Sequence, residues 1–171
     1  IANPCDEVVN NIEYIEKQLC NPPLVTDVFK VKKFPVAFAD KPLLTAVELF
    51  AETEKKTIIV NERGKMRGVL NSYSLYRLIA EHAARGENVT EFLTQTPCGA
   101  VLDEKLLQKY VLLDAKSTVF DVFESFELHK GIYAVIVTEN GVLGEKVLLV
   151  LTPSDFPTIN RYLETYNAKS F

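Results

Sequence analysis

Several features that would assign a protein to a large class are missing from these 171 residues. No apolar run approaches the roughly 20 residues that a membrane-spanning helix needs. The N-terminus also lacks the basic stretch followed by an apolar stretch that is typical of a signal peptide. Both absences predict a cytoplasmic protein without a membrane partner.

A positive net charge and long basic clusters are missing as well. The formal net charge is −4 at pH 7, and the longest basic cluster is the short KVKK at 30–33. Such a composition provides no general attraction to phosphate backbones. We therefore expect no nucleic-acid partner.

Cysteine and catalytic motifs are equally sparse. Cys5, Cys20 and Cys98 are odd in number and scattered, which favours reduced thiols over a disulfide framework or a zinc site. The sequence has no glycine-rich dinucleotide or phosphate loop, no zinc-protease motif and no serine-hydrolase elbow. We therefore predict a protein that is not an enzyme, with no catalytic residue, metal site or cofactor.

What the sequence does contain is an internal repeat. IIVNERG at 58–64 matches VIVTENG at 135–141, and GVLNSYSL at 68–75 matches LVLTPSDF at 149–156. Upstream, LVTDVF at 24–29 parallels NVTEFL at 88–93. Self-similarity of this kind is the signature of a duplicated unit. It divides the chain into a first repeat at 24–86 and a second at 87–171, preceded by residues 1–23.

Each repeat shows the same succession of patterns. A short extended segment leads to an amphipathic helix, then to two apolar strands joined by a glycine-containing turn, and then to a second helix. In the first repeat, Asp40 is the expected N-cap of the first helix, with Pro42 in its first turn. Strands that are apolar at nearly every position are typical of strands covered on both faces or packed beneath helices. The predicted fold class is α+β, built from two β-α-β-β-α units.

Residues 1–23 predict an amphipathic helix followed by a linker. Asn3 is the expected N-cap, and Pro4 occupies the first helical position. One face of the helix is apolar and contains Val8, Ile12, Ile15 and Leu19. This face would pack on the two repeats, or else pair with a partner or a second copy of the chain.

A duplicated unit of this size, with a G-h-x-[ST]-x-x-D signature between its last strand and last helix, resembles the CBS-domain pair, also called a Bateman module. The resemblance covers residues 24–167 and includes V-T-D-V-F, D-K-P-L-L-T-A-V-E-L-F, I-I-V-N-E-R-G-K-M-R-G-V-L and T-P-S-D. It implies two sheets that face each other with pseudo-two-fold symmetry and leave two clefts.

The resemblance also implies a function. CBS pairs commonly bind adenosine-containing ligands such as AMP, ADP, ATP or S-adenosylmethionine, and they regulate an attached domain or partner outside the pair. They usually assemble as homodimers. The two repeats match the family signature unequally: Thr152 and Asp155 of the second repeat agree with it, whereas Asn71 and Ser74 stand at those positions in the first. The second cleft is therefore the better candidate, and Asn71 and Ser74 would form a weaker second site.

The residue types at 152–155 suit such a ligand. The Asp155 carboxylate can accept hydrogen bonds from two adjacent ribose hydroxyls, which Ser74 cannot do. Thr152, with Ser154 beside it and the free N–H groups of a helix N-terminus, would hold the first phosphate. The adenine would lie near three strand residues, Val111, Tyr133 and Ala134.

A structural explanation of the same four residues stays open. Thr-x-x-Asp with an intervening proline is close to a capping box, which contributes about 1 kcal/mol to local stability. Asn71 and Ser74 are likewise ordinary capping residues at a strand-to-helix turn. In that case the chain would be a degenerate CBS pair that serves as a protein-interaction or dimerisation module without binding nucleotides.

Overall fold

The structure is a computed structural model that describes residues 22–30, 33–102 and 109–168, together with residues 8, 9 and 12. Those last three residues are helical, and most of the predicted N-terminal helix lies outside the described residues. The predicted α+β fold with two β-α-β-β-α units is confirmed.

The elements follow one another in the predicted order. A short helix lies at the start of the predicted first repeat: α1 (Val25–Val28). The first repeat consists of β1 (Val36–Phe38), α2 (Leu43–Thr53), β2 (Thr57–Glu62), β3 (Lys65–Asn71) and α3 (Ser72–Ala84). Two elements connect the repeats: α4 (Val89–Gln95) and a 3-10 turn (Cys98–Val101). The second repeat consists of β4 (Tyr110–Leu113), α5 (Val119–Leu128), β5 (Ala134–Thr138), β6 (Val147–Leu151), a 3-10 turn (Pro153–Asp155) and α6 (Phe156–Ala168).

The two sheets have the same topology. In each one the middle strand pairs in parallel with the first strand and antiparallel with the third, in the orders β1-β2-β3 and β4-β5-β6. The register also shifts at the same point of each hairpin, between Val60 and Asn61 and between Val137 and Thr138. The repeat seen in the sequence is therefore reproduced down to the position of a bulge.

The middle strand of each sheet is buried on both faces. Along β2, Ile58 and Val60 pack under the helices of their own repeat, whereas Ile59 faces the other sheet. Because side chains alternate along a strand, one apolar run supplies two separate cores. The core between the sheets joins Ile59, Met66 and Val69 of the first repeat to Ala134, Ile136 and Val147 of the second.

The segments that lead into the repeats are exchanged. Val25 and Phe29, at the start of the first repeat, pack with Val119 and Val122 of the second. In return the 3-10 turn after α4 buries Cys98 and Val101 in the first core, and the backbone N–H of Cys98 donates to the carbonyl of Lys41 at 2.8 Å. Each half of the chain thus completes the core of the other. The sequence-based boundaries at 24–86 and 87–171 stay predictions.

Two helix starts depend on proline. The prediction of Asp40 as the N-cap of α2 is wrong, because Pro42 occupies that position and the N–H of Leu43 donates to the carbonyl of Thr96 at 2.8 Å. At the other end of the chain α6 begins at Phe156, which places Pro157 in its first turn. A missing N–H removes no helical hydrogen bond at that position.

Candidate functional site

The turn between β6 and α6 contains the residues that the sequence singled out. Thr152 is extended, and the backbone N–H of Asp155 donates to the Thr152 carbonyl at 2.8 Å. Asp155 Oδ2 accepts from the Thr152 backbone N–H at 2.9 Å and from Thr152 Oγ1 at 3.3 Å. Thr152 Oγ1 also lies 2.6 Å from Ser154 Oγ. The Asp155 half of a capping box is therefore present, and its contacts with Thr152 hold the Asp155 carboxylate in a defined orientation.

The same chemistry occurs at a second helix start. At the beginning of α5, Asp121 Oδ2 accepts from the backbone N–H and the hydroxyl of Thr118, at 2.6 and 2.9 Å. The Asp121 N–H donates back to Thr118 Oγ1 at 3.3 Å. A threonine–aspartate cap by itself therefore does not identify a binding site. The surroundings of the two turns are what differ.

Thr152, Ser154 and Asp155 line a cavity of about 590 Å³ to which both repeats contribute. The second repeat also provides Tyr133, Val150 and Pro153, and the first repeat provides Lys33, Phe34, Pro35, Glu54, Lys55, Lys56, Thr57 and Asn71. A volume of this size lies in the range of small-molecule sites. The lining combines hydroxyls, two carboxylates, two aromatic rings and three lysines.

Two of the predicted adenine contacts lie elsewhere. Tyr133 lines the cavity, but Ala134 is completely buried in the core between the sheets. Consecutive residues of an extended chain point in opposite directions, so both could not face one cavity. Val111 packs against the core of the second repeat and borders a separate shallow groove beside α5.

Asn71 and Ser74 of the first repeat adjoin the same cavity. The Asn71 Oδ1 atom caps α3 by accepting from the N–H of Tyr73 at 2.9 Å, and its Nδ2 atom donates to the Lys56 carbonyl at 2.9 Å. Ser74 is buried, and its hydroxyl donates to the Tyr133 hydroxyl at 3.4 Å across the two repeats. Asn71 thus has a structural role, and Ser74 links α3 to an aromatic residue of the cavity.

Sequence reasoning missed the lysines of the cavity. Lys33, Lys55 and Lys56 are exposed residues of the first repeat, and they line the same cavity as the turn at 152–155. A signal was available: Lys56 immediately precedes β2 and Tyr133 immediately precedes β5, so the repeat itself places the two residues at equivalent positions. What could not be read from the sequence is that both border one cavity.

The lysines change the charge of this surface. Three lysines against the carboxylates of Glu54 and Asp155 give the described lining a net charge of +1, in a chain with a net charge of −4. Charge of one sign collected in a concave surface raises the local concentration of ligands of the opposite sign. The described lining therefore carries a small positive excess, although the chain as a whole is acidic.

Other classes of site receive no support from the described part of the chain. Within residues 22–30, 33–102 and 109–168, with 8, 9 and 12, no three histidine, cysteine or acidic side chains are grouped so that they could hold a metal ion. Among those same residues, no helix combines the length and the apolar character that crossing a membrane requires.

Cys98 is buried, and its Sγ atom contacts the Pro42 carbonyl oxygen at 3.5 Å. Burial raises the pKa of the Cys98 thiol above its ordinary value, which depletes the reactive thiolate. We expect a variant that retains this cysteine alone, Cys5→Ser with Cys20→Ser, to resist alkylation by iodoacetamide until it is unfolded. The measurement is mass spectrometry of native and denaturant-treated samples. Rapid labelling of the native form would contradict the buried position.

The chain was compared with known proteins by sequence and by structure. No protein-family model matches the sequence, and no curated protein matches it. Solved structures do match. A CBS domain-containing protein of unknown function from Kribbella flavida aligns with a TM-score of 0.58 and 20% identity, over 79% of this chain and 94% of that one.

Two further matches were solved with ligands. The CBS domain protein PAE2072 from Pyrobaculum aerophilum, complexed with AMP, aligns with a TM-score of 0.60 and 14% identity, over 84% of this chain and 99% of that one. The CBS domain pair of protein MJ0100, in complex with 5′-methylthioadenosine and S-adenosyl-L-methionine, aligns with a TM-score of 0.53 and 16% identity, over 84% and 98%. Similarity at this level of identity establishes architecture rather than activity. The chain therefore has the fold of a CBS-domain pair.

Proposed function

We propose that this chain is a regulatory module that binds an adenosine-containing ligand in the cavity lined by Tyr133, Thr152, Ser154 and Asp155. The ligand would be AMP, ADP, ATP or S-adenosylmethionine. Binding would alter the relation between the two repeats and thereby control an attached domain or partner. The module would carry out no reaction of its own.

One observation carries the proposal: a carboxylate and two hydroxyls that a cap holds in place line a cavity to which both repeats contribute. Because the Thr152 backbone orients Asp155 beforehand, ribose hydroxyls would meet an acceptor whose position is already determined. The Thr152 and Ser154 hydroxyls at the start of a helix suit a phosphate oxygen. The ligands of the Pyrobaculum protein and of MJ0100 belong to the same adenosyl class.

A ligand in contact with both repeats offers a simple route to regulation. Such a ligand binds most tightly to the arrangement in which both sets of contacts are made, and so it stabilises that arrangement. The Ser74–Tyr133 hydrogen bond already joins α3 to the lining of the cavity. A change at Tyr133 would therefore reach a helix of the other repeat.

Substitution of Asp155 by asparagine tests the proposal. Asparagine retains one oxygen that can accept from the Thr152 N–H, so the cap persists, but it loses the second carboxylate oxygen and the charge. We expect an adenosyl ligand at about a hundred times its Kd to stabilise the wild type by about 2.7 kcal/mol. Asp155→Asn should lose most of this effect. The measurement is a thermal-shift series with AMP, ADP, ATP and S-adenosylmethionine, and GTP as a control.

The chain provides a matched control for this variant. Asp121→Asn alters the equivalent cap at Thr118, and Asp121 does not line the cavity. It should lower the melting temperature slightly and leave the ligand response unchanged. If neither the wild type nor Asp121→Asn responds to any adenosyl ligand, the turn at 152–155 is only a cap, and the chain is better interpreted as a degenerate pair that recognises protein partners.

A further inference from the structure

The proposed function leaves open which adenosyl ligand the cavity selects, and the lysines of the first repeat bear on this choice. Lys33 lies just before β1, and Lys55 with Lys56 lies between α2 and β2. Among the described residues of the lining, these three are the only cations. They belong to the first repeat, whereas Thr152, Ser154 and Asp155 belong to the second.

We infer that Lys33, Lys55 and Lys56 make this cavity selective for phosphorylated adenosyl ligands, and that affinity rises with the number of phosphates. This inference rests on the proposed function and deepens it. A phosphate group carries a charge of about −1.5 to −2 at pH 7 and offers three acceptor oxygens. Lysine ammonium groups bind phosphate as point charges with adjustable positions, which suits a chain of phosphates of variable length.

The same charges disfavour binding of S-adenosylmethionine, the proposed ligand that has no phosphate group. S-adenosylmethionine carries a sulfonium and an ammonium cation against a single carboxylate, so its net charge has the same sign as the described lining. Like charges at close range are destabilising, and a concave surface strengthens their effect. Adenosine itself is uncharged and gains nothing from the lysines. The expected order of affinity is therefore ATP, ADP, AMP and adenosine, with S-adenosylmethionine no tighter than adenosine.

The arrangement of charge also determines how such a ligand would act on the fold. The sugar contact comes from the second repeat and the lysines come from the first, so the phosphates of a ligand would add contacts with the first repeat that adenosine lacks. The phosphates would then carry the coupling between the repeats. Regulation by phosphorylation state of the ligand follows directly from this division.

A double variant, Lys55→Gln with Lys56→Gln, tests the inference. Glutamine keeps a polar side chain of similar length, and the backbone carbonyl of Lys56 that accepts from Asn71 and from the N–H of Ser72 is retained. The matched control is Lys130→Gln with Lys146→Gln, which removes two exposed lysines that do not line the cavity. Titration calorimetry with ATP, AMP, adenosine and S-adenosylmethionine is performed on all three proteins at low and at high salt.

We expect wild type to bind ATP about tenfold more tightly than adenosine, since exposed ion pairs contribute about 0.2–1 kcal/mol each and 1.4 kcal/mol corresponds to a factor of ten. The cavity double variant should lose about 3- to 10-fold in ATP affinity and stay within about twofold for adenosine. Added salt should weaken ATP binding to wild type more than to the variant. The control pair should behave as wild type.

The contrary outcomes are distinct. Equal affinity for adenosine, AMP and ATP, or tighter binding of S-adenosylmethionine, would overturn the selectivity and leave the proposed adenosyl site intact. An equal loss of ATP affinity in the control double variant would overturn the selectivity too. The loss would then result from the long-range charge of the protein rather than from the lysines of the cavity. Failure of all four ligands to bind wild type would remove the proposed function, and the inference with it.

Discussion

Ile136→Ala should lower the free energy of unfolding by about 2–5 kcal/mol, the range for removing a large aliphatic side chain from a packed core. Ile136 is completely buried in the middle strand of the second sheet, where it packs in one core with Ile59, Met66 and Val69 of the first sheet. Truncation leaves a cavity that rigid strands on both sides cannot fill. Since domains are stable by only about 5–15 kcal/mol, a large fraction of the total would be lost.

Denaturant unfolding monitored by circular dichroism measures this effect. Ile136→Val is the matched variant, and it should cost only about 0.5–1.5 kcal/mol because it removes a single methylene. Ile59→Ala makes the equivalent truncation in the first repeat, and its effect should not add simply to that of Ile136→Ala because both side chains belong to one core. A cost for Ile136→Ala equal to that of Ile136→Val would show that the layer between the sheets is not closely packed.

Gly141→Ala should lower the free energy of unfolding more than Gly64→Ala, the substitution in the matching turn of the first repeat. Gly141 has φ +71°, and a Cβ atom there would lie 3.0 Å from the backbone nitrogen of Asp114 and 3.2 Å from the carbonyl carbon of Leu113. A left-handed conformation costs an L-residue about 1–2 kcal/mol. Contact with backbone atoms of β4 adds an overpacking penalty of about 1–3 kcal/mol, because a strand end cannot rotate away as a side chain can.

Gly64 provides the control within the same chain. It occupies the matching turn of the first repeat with φ +79°, but an added Cβ would meet nothing within 4 Å. Gly64→Ala should therefore incur only the conformational cost. Thermal unfolding of both variants gives the comparison directly, and equal losses would mean that the turn at 139–146 relaxes away from Asp114.

The packing of the two sheets is linked to the proposed site. Lys55, Lys56 and Asp155 belong to different repeats, and the core between the sheets determines how far apart these groups lie. Ile136→Ala should therefore also lower the affinity for any adenosyl ligand that contacts both repeats, even though Ile136 does not line the cavity. A loss of ligand affinity larger for ATP than for adenosine would agree with the division of contacts between the repeats.

Much of the architecture could be predicted from the sequence because it depends on local pattern. Continuous apolar runs at 58–60 and 135–137 predicted strands covered on both faces, and the internal repeat predicted two copies of one unit. The Thr152–Asp155 contacts were also predictable, since a cap involves residues three positions apart. Asp40 shows the limit: its predicted capping role was displaced by a hydrogen bond from Leu43 to Thr96, far away in the chain.

The sequence by itself thus determined the order of the elements, the duplicated unit and the polar residues of the turn at 152–155. Only the tertiary structure decided which residues share the cavity: it placed Tyr133 there and Ala134 in the core, and it brought Lys55 and Lys56 of the first repeat to the turn of the second. The physical reason is that periodicity and capping act over a few residues, whereas a cavity lined by both repeats depends on how two sheets pack, which no local pattern encodes.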